Sequence, residues 1–198
     1  MSDMAFSKRL DIWRKSKQPK TLATLIETFG DKSFAVIMFL FMAFPALPLP
    51  TAGHLFEAIT IIIAAGIVLG LKTIWVPQFL SSRIKLTRVV KSRAMDKLVA
   101  GVRWLELKAG PYGAGVFYAP LVKRMLGLVI IAFAVAAFLS PPFSGLDTLP
   151  SLGVVIICLS ILLENIFLLI TGLAVGTVGV LLSIFLGEAA LKLAGRFF

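Results

Sequence analysis

One cysteine and one histidine are all that this 198-residue chain holds of either residue type. A lone Cys158 excludes an intrachain disulfide and any metal cluster built on cysteine. It lies inside an apolar run and reads as a small buried hydrophobe. A lone His54 narrows any acid–base scheme. The chain also lacks a D-x-D pair, a P-loop, a G-x-S-x-G elbow and a dinucleotide-binding glycine pattern. No reaction is therefore announced: the reading leans away from an enzyme, and no cofactor or metal is expected. Charged residues are scarce too, 15% of the chain against about 25% in ordinary globular domains. The excess charge of +10 comes without an aromatic–basic recognition motif, so no nucleic-acid partner is expected. The first twenty residues are polar and basic, without the apolar core of a cleaved signal peptide.

What is present is apolar sequence. Hydrophobic residues make up 59% of the chain, and the mean hydropathy is +0.97. Soluble domains sit near 45–50%, so lipid is the expected solvent. Lys and Arg gather in residues 1–32 and 72–124, while the stretches 33–56, 58–71, 125–146 and 165–187 carry no formal charge. At about 1.5 Å per helical residue, 166–187 alone is comfortably long enough for a hydrocarbon core of about 30 Å. The shorter runs 33–44, 55–71, 125–139 and 151–163 read as arms of two helix–break–helix hairpins. These arms are re-entrant or cross by extending into flanking residues.

The breaks carry Pro45, Pro48, Pro50 and Gly53 in the first hairpin and Pro142, Gly145 and Pro150 in the second. Proline removes a backbone donor and clashes with the preceding turn. In lipid, the freed carbonyls need protein or a wet cavity around them. Ala43-Phe44 with Pro48 returns 94 residues later as Ala137-Phe138 with Pro142, and the second arms align at an offset of 93. This is an internal duplication of the kind found in membrane transport folds. Thr148 is a candidate N-cap, with Pro150 in the first helical turn. The expected fold is all-α and integral to the membrane: a single domain over 1–198, with repeat 1 at about 1–77 and repeat 2 at about 78–165. Basic interfacial helices flank the hairpins, and a C-terminal transmembrane helix lies at about 166–190.

Ionisable residues beside apolar runs are candidates for function, because charge in a membrane is costly. His54, Glu57, Asp147 and Glu164, with Asn165, form this set. Pro48, Pro50, Gly53, Pro142, Gly145 and Pro150 supply the unwound backbone of the same candidate transport or binding site. Plainer roles stand beside this one: helix capping for Glu57 and Asp147, and an interfacial turn for Glu164-Asn165. His54 and Glu57, three residues apart, lack the further ligands that a metal site needs. Gly66/Gly70 and Gly172/Gly176 are G-x-x-x-G pairs that let helices approach closely, within the chain or in a homodimer.

Between the hairpins, Leu86, Val90, Ala94, Leu98, Val102 and Leu105 recur at helical spacing, with Arg83, Arg88, Lys91 and Lys97 largely off that stripe. This amphipathic helix lies against anionic headgroups or packs on the chain's own bundle. Trp75 and Trp104 fit the aromatic belt of an interface. The positive-inside rule puts 1–32 and 72–124 in the cytoplasm. Each hairpin then leaves and returns on one side.

The order of the pieces "TLIETFGDKSF", "FPALPLPTAG", "TIWVPQFL", "SPPFSGLDTLP" and "LSILLENIFLLITGL" resembles the exopolysaccharide synthesis ExoD family over nearly the whole chain. Pro48, Pro50, Gly53, Trp75, Pro77, Pro142, Pro150 and Glu164 occupy matching positions. Asn165-Ile166-Phe167 stands where an acidic-Gly turn is typical, and Thr51-Ala52 stands where proline next to the glycine is commoner. The resemblance implies a bacterial inner-membrane protein linked to exopolysaccharide production, with polysaccharide-synthesis proteins as its partners. Two activities fit this reading. One is transport of a solute, ion or lipid-linked intermediate through the paired breaks. The other is a non-transporting scaffold that organises partners and anionic lipid.

Overall fold

A computed structural model of the chain describes residues 5–43, 46, 53–71, 93–140 and 145–197. Pro48, Pro50, Trp75, Arg83, Arg88, Lys91 and Pro142 lie outside these. All regular structure among the described residues is helical. The helices are α1 (Phe6–Lys15), α2 (Leu22–Phe29), a 3-10 turn at Gly30–Lys32, α3 (Ser33–Met42), α4 (Gly53–Val68), α5 (Arg93–Lys108), α6 (Ala114–Tyr118), α7 (Pro120–Leu139), α8 (Thr148–Leu163) and α9 (Ile166–Phe197).

Helix α3 is apolar on every side and buries every residue except Phe34, the pattern of a helix at the centre of a core. Around it, α3 packs on α4, α4 on α7, α7 on α8, and α8 back on α3. The first arm of each hairpin therefore packs against the second arm of the other as well as against its own.

Contacts at the helix ends give the directions. A Cβ added at Gly70, just past α4, would lie 3.1 Å from the Arg124 guanidinium in the first turns of α7. The rings of His54 at the start of α4 and Phe138 at the end of α7 are 5.5 Å apart. Lys32 before α3 bonds to Leu162 and Glu164 at the end of α8. One end of the bundle thus gathers 30–33, 68–71, 118–124 and 162–166, and the other gathers the described residues that flank the breaks, His54, Phe138 and Asp147 among them.

Helix α9 runs antiparallel to α8 along a stripe of small residues. A Cβ at Gly153 would meet the Gly176 Cα at 2.5 Å, and one at Gly179 would meet Pro150 at 2.6 Å. Further along, the Ser183 hydroxyl donates to the Leu146 carbonyl at 3.2 Å. Seventeen residues separate Ile166 from Ser183, so the second break stands about 26 Å from the start of α9.

The spans differ from their expected lengths in one respect. Helix α7 begins at Pro120, five residues before the uncharged run, and takes Lys123 and Arg124 into its first turns. Pro120–Leu139 and Ile166–Leu186 are both long and apolar enough to cross a membrane, and only 33% and 22% of their most apolar windows are buried. A soluble core helix would be mostly covered.

The basic N-terminal helices form an outer layer at the α3 side. Phe6 packs on Phe29 and Phe39. Helix α1 packs on α5 through buried Leu10, Trp13, Met95, Val99 and Val102, with Arg14–Asp96 as an ion pair at 2.5 Å. Ser7 donates to Glu106 from both its backbone and its hydroxyl. The apolar stripe of the inter-repeat helix therefore packs, over its described part, on the chain itself.

Candidate functional site

The structure divides the candidate residues between the two ends of the bundle. Asp147 and Glu164 flank the 16-residue α8 and so lie about 26 Å apart along it. No single pocket contains both.

At the broken end stand His54, Glu57 and Asp147. Glu57 is fully buried and is the fifth residue of α4. It therefore lies too deep to cap the helix from the first turn. Its Oε2 is 3.0 Å from His54 Nδ1, whose side chain is 43% exposed. Asp147 stands at the start of α8, at the same end of the bundle. Asp147, and not Thr148, occupies the N-cap position of α8, without a side-chain cap bond. Gly145 turns there with φ +70°, a conformation open to glycine at no steric cost.

Two buried oxygens in this region lack a hydrogen-bond partner among the described residues: Glu57 Oε1 and Ser151 Oγ. They are 94 residues apart, one more than the 93 that aligns the second arms, so they are neighbours of equivalent positions and not the same position of the repeat. They stand near the starts of α4 and α8, the corresponding second arms of the two hairpins. A buried polar atom without a partner costs about 1–3 kcal/mol, and the cost vanishes when a water, cation or ligand supplies the missing bond. Ser151 drew no attention in the sequence, because an uncharged serine in an apolar run carries no pattern of its own.

The basic end holds Glu164 and Asn165 in a tight knot. Glu164 closes α8 in the left-handed region, φ 53°. Its Oε1 accepts from Lys32 Nζ at 2.8 Å and from the Tyr118 hydroxyl at 2.6 Å. Partial burial pushes this carboxyl up, but the bonds from Lys32 and Tyr118 outweigh burial and hold it below the ordinary glutamate value. The same bond raises the Tyr118 hydroxyl above its usual value. Asn165 caps α9, its Oδ1 accepting from the Phe167 and Leu168 amides at 2.9 and 3.1 Å. Its Nδ2 donates to the Gly110 carbonyl at 2.7 Å. The Tyr112 and Phe167 rings stack at 5.0 Å. This cluster ties the turn before α3 to α6, α8 and α9 through bonds that run between elements, so it is a structural joint.

A cavity of about 540 Å³ also opens at the basic end. Lys123, Arg124 and Asp31 stand at its mouth, and Ala35, Met38, Phe117, Ile130 and Ile161 line its depth. Two basic residues directly ahead of an apolar run were its only sign in the sequence. Outside the bundle, Trp104 is 56% exposed, with Lys108 Nζ 4.4 Å above its ring, and Lys97 is exposed. Among the described residues, no group of three or more His, Cys, Asp or Glu side chains is placed to hold a metal ion.

A family model described as "Exopolysaccharide synthesis, ExoD" matches residues 6–185 of the chain. No curated protein and no solved structure matches it.

Proposed function

The chain belongs to the exopolysaccharide synthesis ExoD family, and from that premise we propose that it is an integral inner-membrane protein that moves a solute, ion or lipid-linked intermediate past the paired helix breaks. The observation that carries this reading is Glu57: a carboxylate buried in an apolar bundle, with one oxygen held by His54 and the other without a partner. Ionisable groups inside membrane bundles characteristically mark ion, proton or substrate paths. Ser151, near the start of α8, adds a second buried oxygen without a partner. The partly exposed His54 puts the buried Glu57 carboxylate within one side chain of the surface.

The scaffold alternative loses one of its supports. The Gly172/Gly176 face lies against Gly153, Ile157 and Phe133 of the same chain, and Gly66 faces Leu71 and Phe34. The Gly172/Gly176 pair is thus taken up within the chain, while Gly70 stays exposed at the end of α4.

The test is water accessibility. Single cysteines placed through 45–57 and 141–150, in a Cys158→Ala background, would be labelled from each side of the membrane with an impermeant maleimide. Labelling near both breaks that is reached from one side only is the expected result. Uniform protection of both breaks means dry packing and leaves the scaffold as the better account.

A further inference from the structure

The cavity at the basic end lies far from the broken end and has a chemistry of its own. Its depth is apolar, formed by Ala35 and Met38 of α3, Ile67 of α4, Ile130 of α7 and Ile161 of α8. All four helices of the bundle therefore contribute a wall. At about 540 Å³ it falls within the range of about 300–1,000 Å³ typical of small-ligand sites. Its mouth is charged, with Lys123 and Arg124 against Asp31, one positive charge in excess.

Neither cation is neutralised by a carboxylate among the described residues. Lys123 Nζ stands 6.0 Å from the Tyr118 ring. Arg124 is laid across Gly70, where a Cβ would come within 3.1 Å of its guanidinium. Glycine at this position, with φ +74°, leaves room for the guanidinium to rest against the end of α4. Tyr118 and Tyr112, 60% and 61% exposed, place the mouth at the level where aromatic side chains meet headgroups.

A site with cations at the rim and hydrocarbon beneath suits an amphiphile whose head is an anion and whose body is a chain. We propose that this cavity binds a membrane lipid with a phosphate-monoester head and a single chain, the phosphate on Lys123 and Arg124 and the chain between α3, α4, α7 and α8. Arginine offers a planar donor fork suited to phosphate, and lysine a point charge. A free phosphate would leave the apolar walls unused, and a neutral lipid would leave the cations unpaired. The inference rests on the reading above only for the membrane level of the mouth. Binding in detergent tests it whether or not anything is transported.

The experiment uses the full chain in maltoside micelles, with lysophosphatidate as the probe. Lysophosphatidylcholine of the same chain length and glycerol 3-phosphate are the comparison probes, and binding is read by native mass spectrometry and titration. Lysophosphatidate is expected to bind at least tenfold more tightly than either. Lys123→Gln with Arg124→Gln should weaken it at least tenfold. Ala35→Phe, or Ile67→Trp should Ala35→Phe not fold, should weaken it similarly with both cations in place. Asp31→Asn should tighten it. Equal binding of the two lysolipids overturns the proposal, as does tighter binding of glycerol 3-phosphate. A double glutamine variant that melts earlier yet keeps full affinity would reduce Arg124 to a cap on α4, and the proposal would fall.

Discussion

Among single residues, Glu164 and Asn165 separate two kinds of polar contact at one turn. Bonds from Lys32 and Tyr118 hold the Glu164 carboxyl below its ordinary value against the push of partial burial. A carboxyl lowered in the folded state contributes stability that is present above the ordinary glutamate range, about 4.3. That stability is lost as pH falls through the lowered value. Glu164→Gln should therefore lower the melting temperature in detergent at neutral pH, and the gap to the parent should narrow as pH drops below about 4. Charged hydrogen bonds of this type contribute about 1.5–3 kcal/mol. Asn165→Ala removes the two capping bonds of α9 and should cost about 1 kcal/mol, with no such pH dependence. An unchanged Glu164→Gln gap at acid pH would remove the ion pair as its source. Glu57 behaves differently, because its free oxygen belongs to no structural joint. Glu57→Gln keeps the shape and a contact to His54. It should leave insertion and melting nearly unchanged while lowering exopolysaccharide output in cells that depend on this chain, and normal output would detach Glu57 from function.

At the level of helices, glycine sorts by what surrounds it. A Cβ at Gly176 would fall 2.0 Å from Phe133 Cε2, inside the α7–α8–α9 contact. Overpacking of this kind costs about 1–3 kcal/mol. Gly101, in the middle of α5, has open space around its Cβ direction, and glycine there costs the helix about 0.5–1 kcal/mol relative to alanine. Gly176→Ala should lower the melting temperature and Gly101→Ala should raise it. A stabilising Gly176→Ala would refute the close packing of α9 on Phe133 of α7. Much of this level was legible in the sequence. Uncharged runs bounded by proline and glycine marked α3, α4, α7 and α8, and the G-x-x-x-G pair at Gly172 marked a close helix contact without naming its partner. The start of α7 was not legible, because Lys123 and Arg124 made the apolar run look shorter than its helix. The Glu164–Lys32 pair spans 132 residues of chain, a separation that no local pattern reports. Ser151 gains meaning only from being buried without a partner, which no pattern of residue types reports.

For the molecule as a whole, the end contacts fix relative direction. Both hairpins begin and end on the side of Lys32, Tyr118, Lys123 and Arg124, and α9 starts there as well. It passes the second break at Ser183 and continues to Phe197. Large apolar side chains stay uncovered along it, among them Phe167, Ile170, Val178 and Phe185, and along α7 at Leu121, Met125 and Leu139. Lipid is the medium that removes this surface from water at no cost in polar groups. On the proposed reading, which puts the basic segments in the cytoplasm, two returning hairpins and one unreturned α9 would put the chain's two ends on opposite faces. Alkaline phosphatase fused after Phe198 should then be active outside the cytoplasm, and the same reporter fused after Gly113 should be silent. A fluorescent protein on the N-terminus should mature and shine. An inactive fusion at Phe198 would mean that α9 turns back or lies along the surface. Lys192 and Arg196 would then sit on the cytoplasmic face with the other cations, and the odd number of crossings would be wrong.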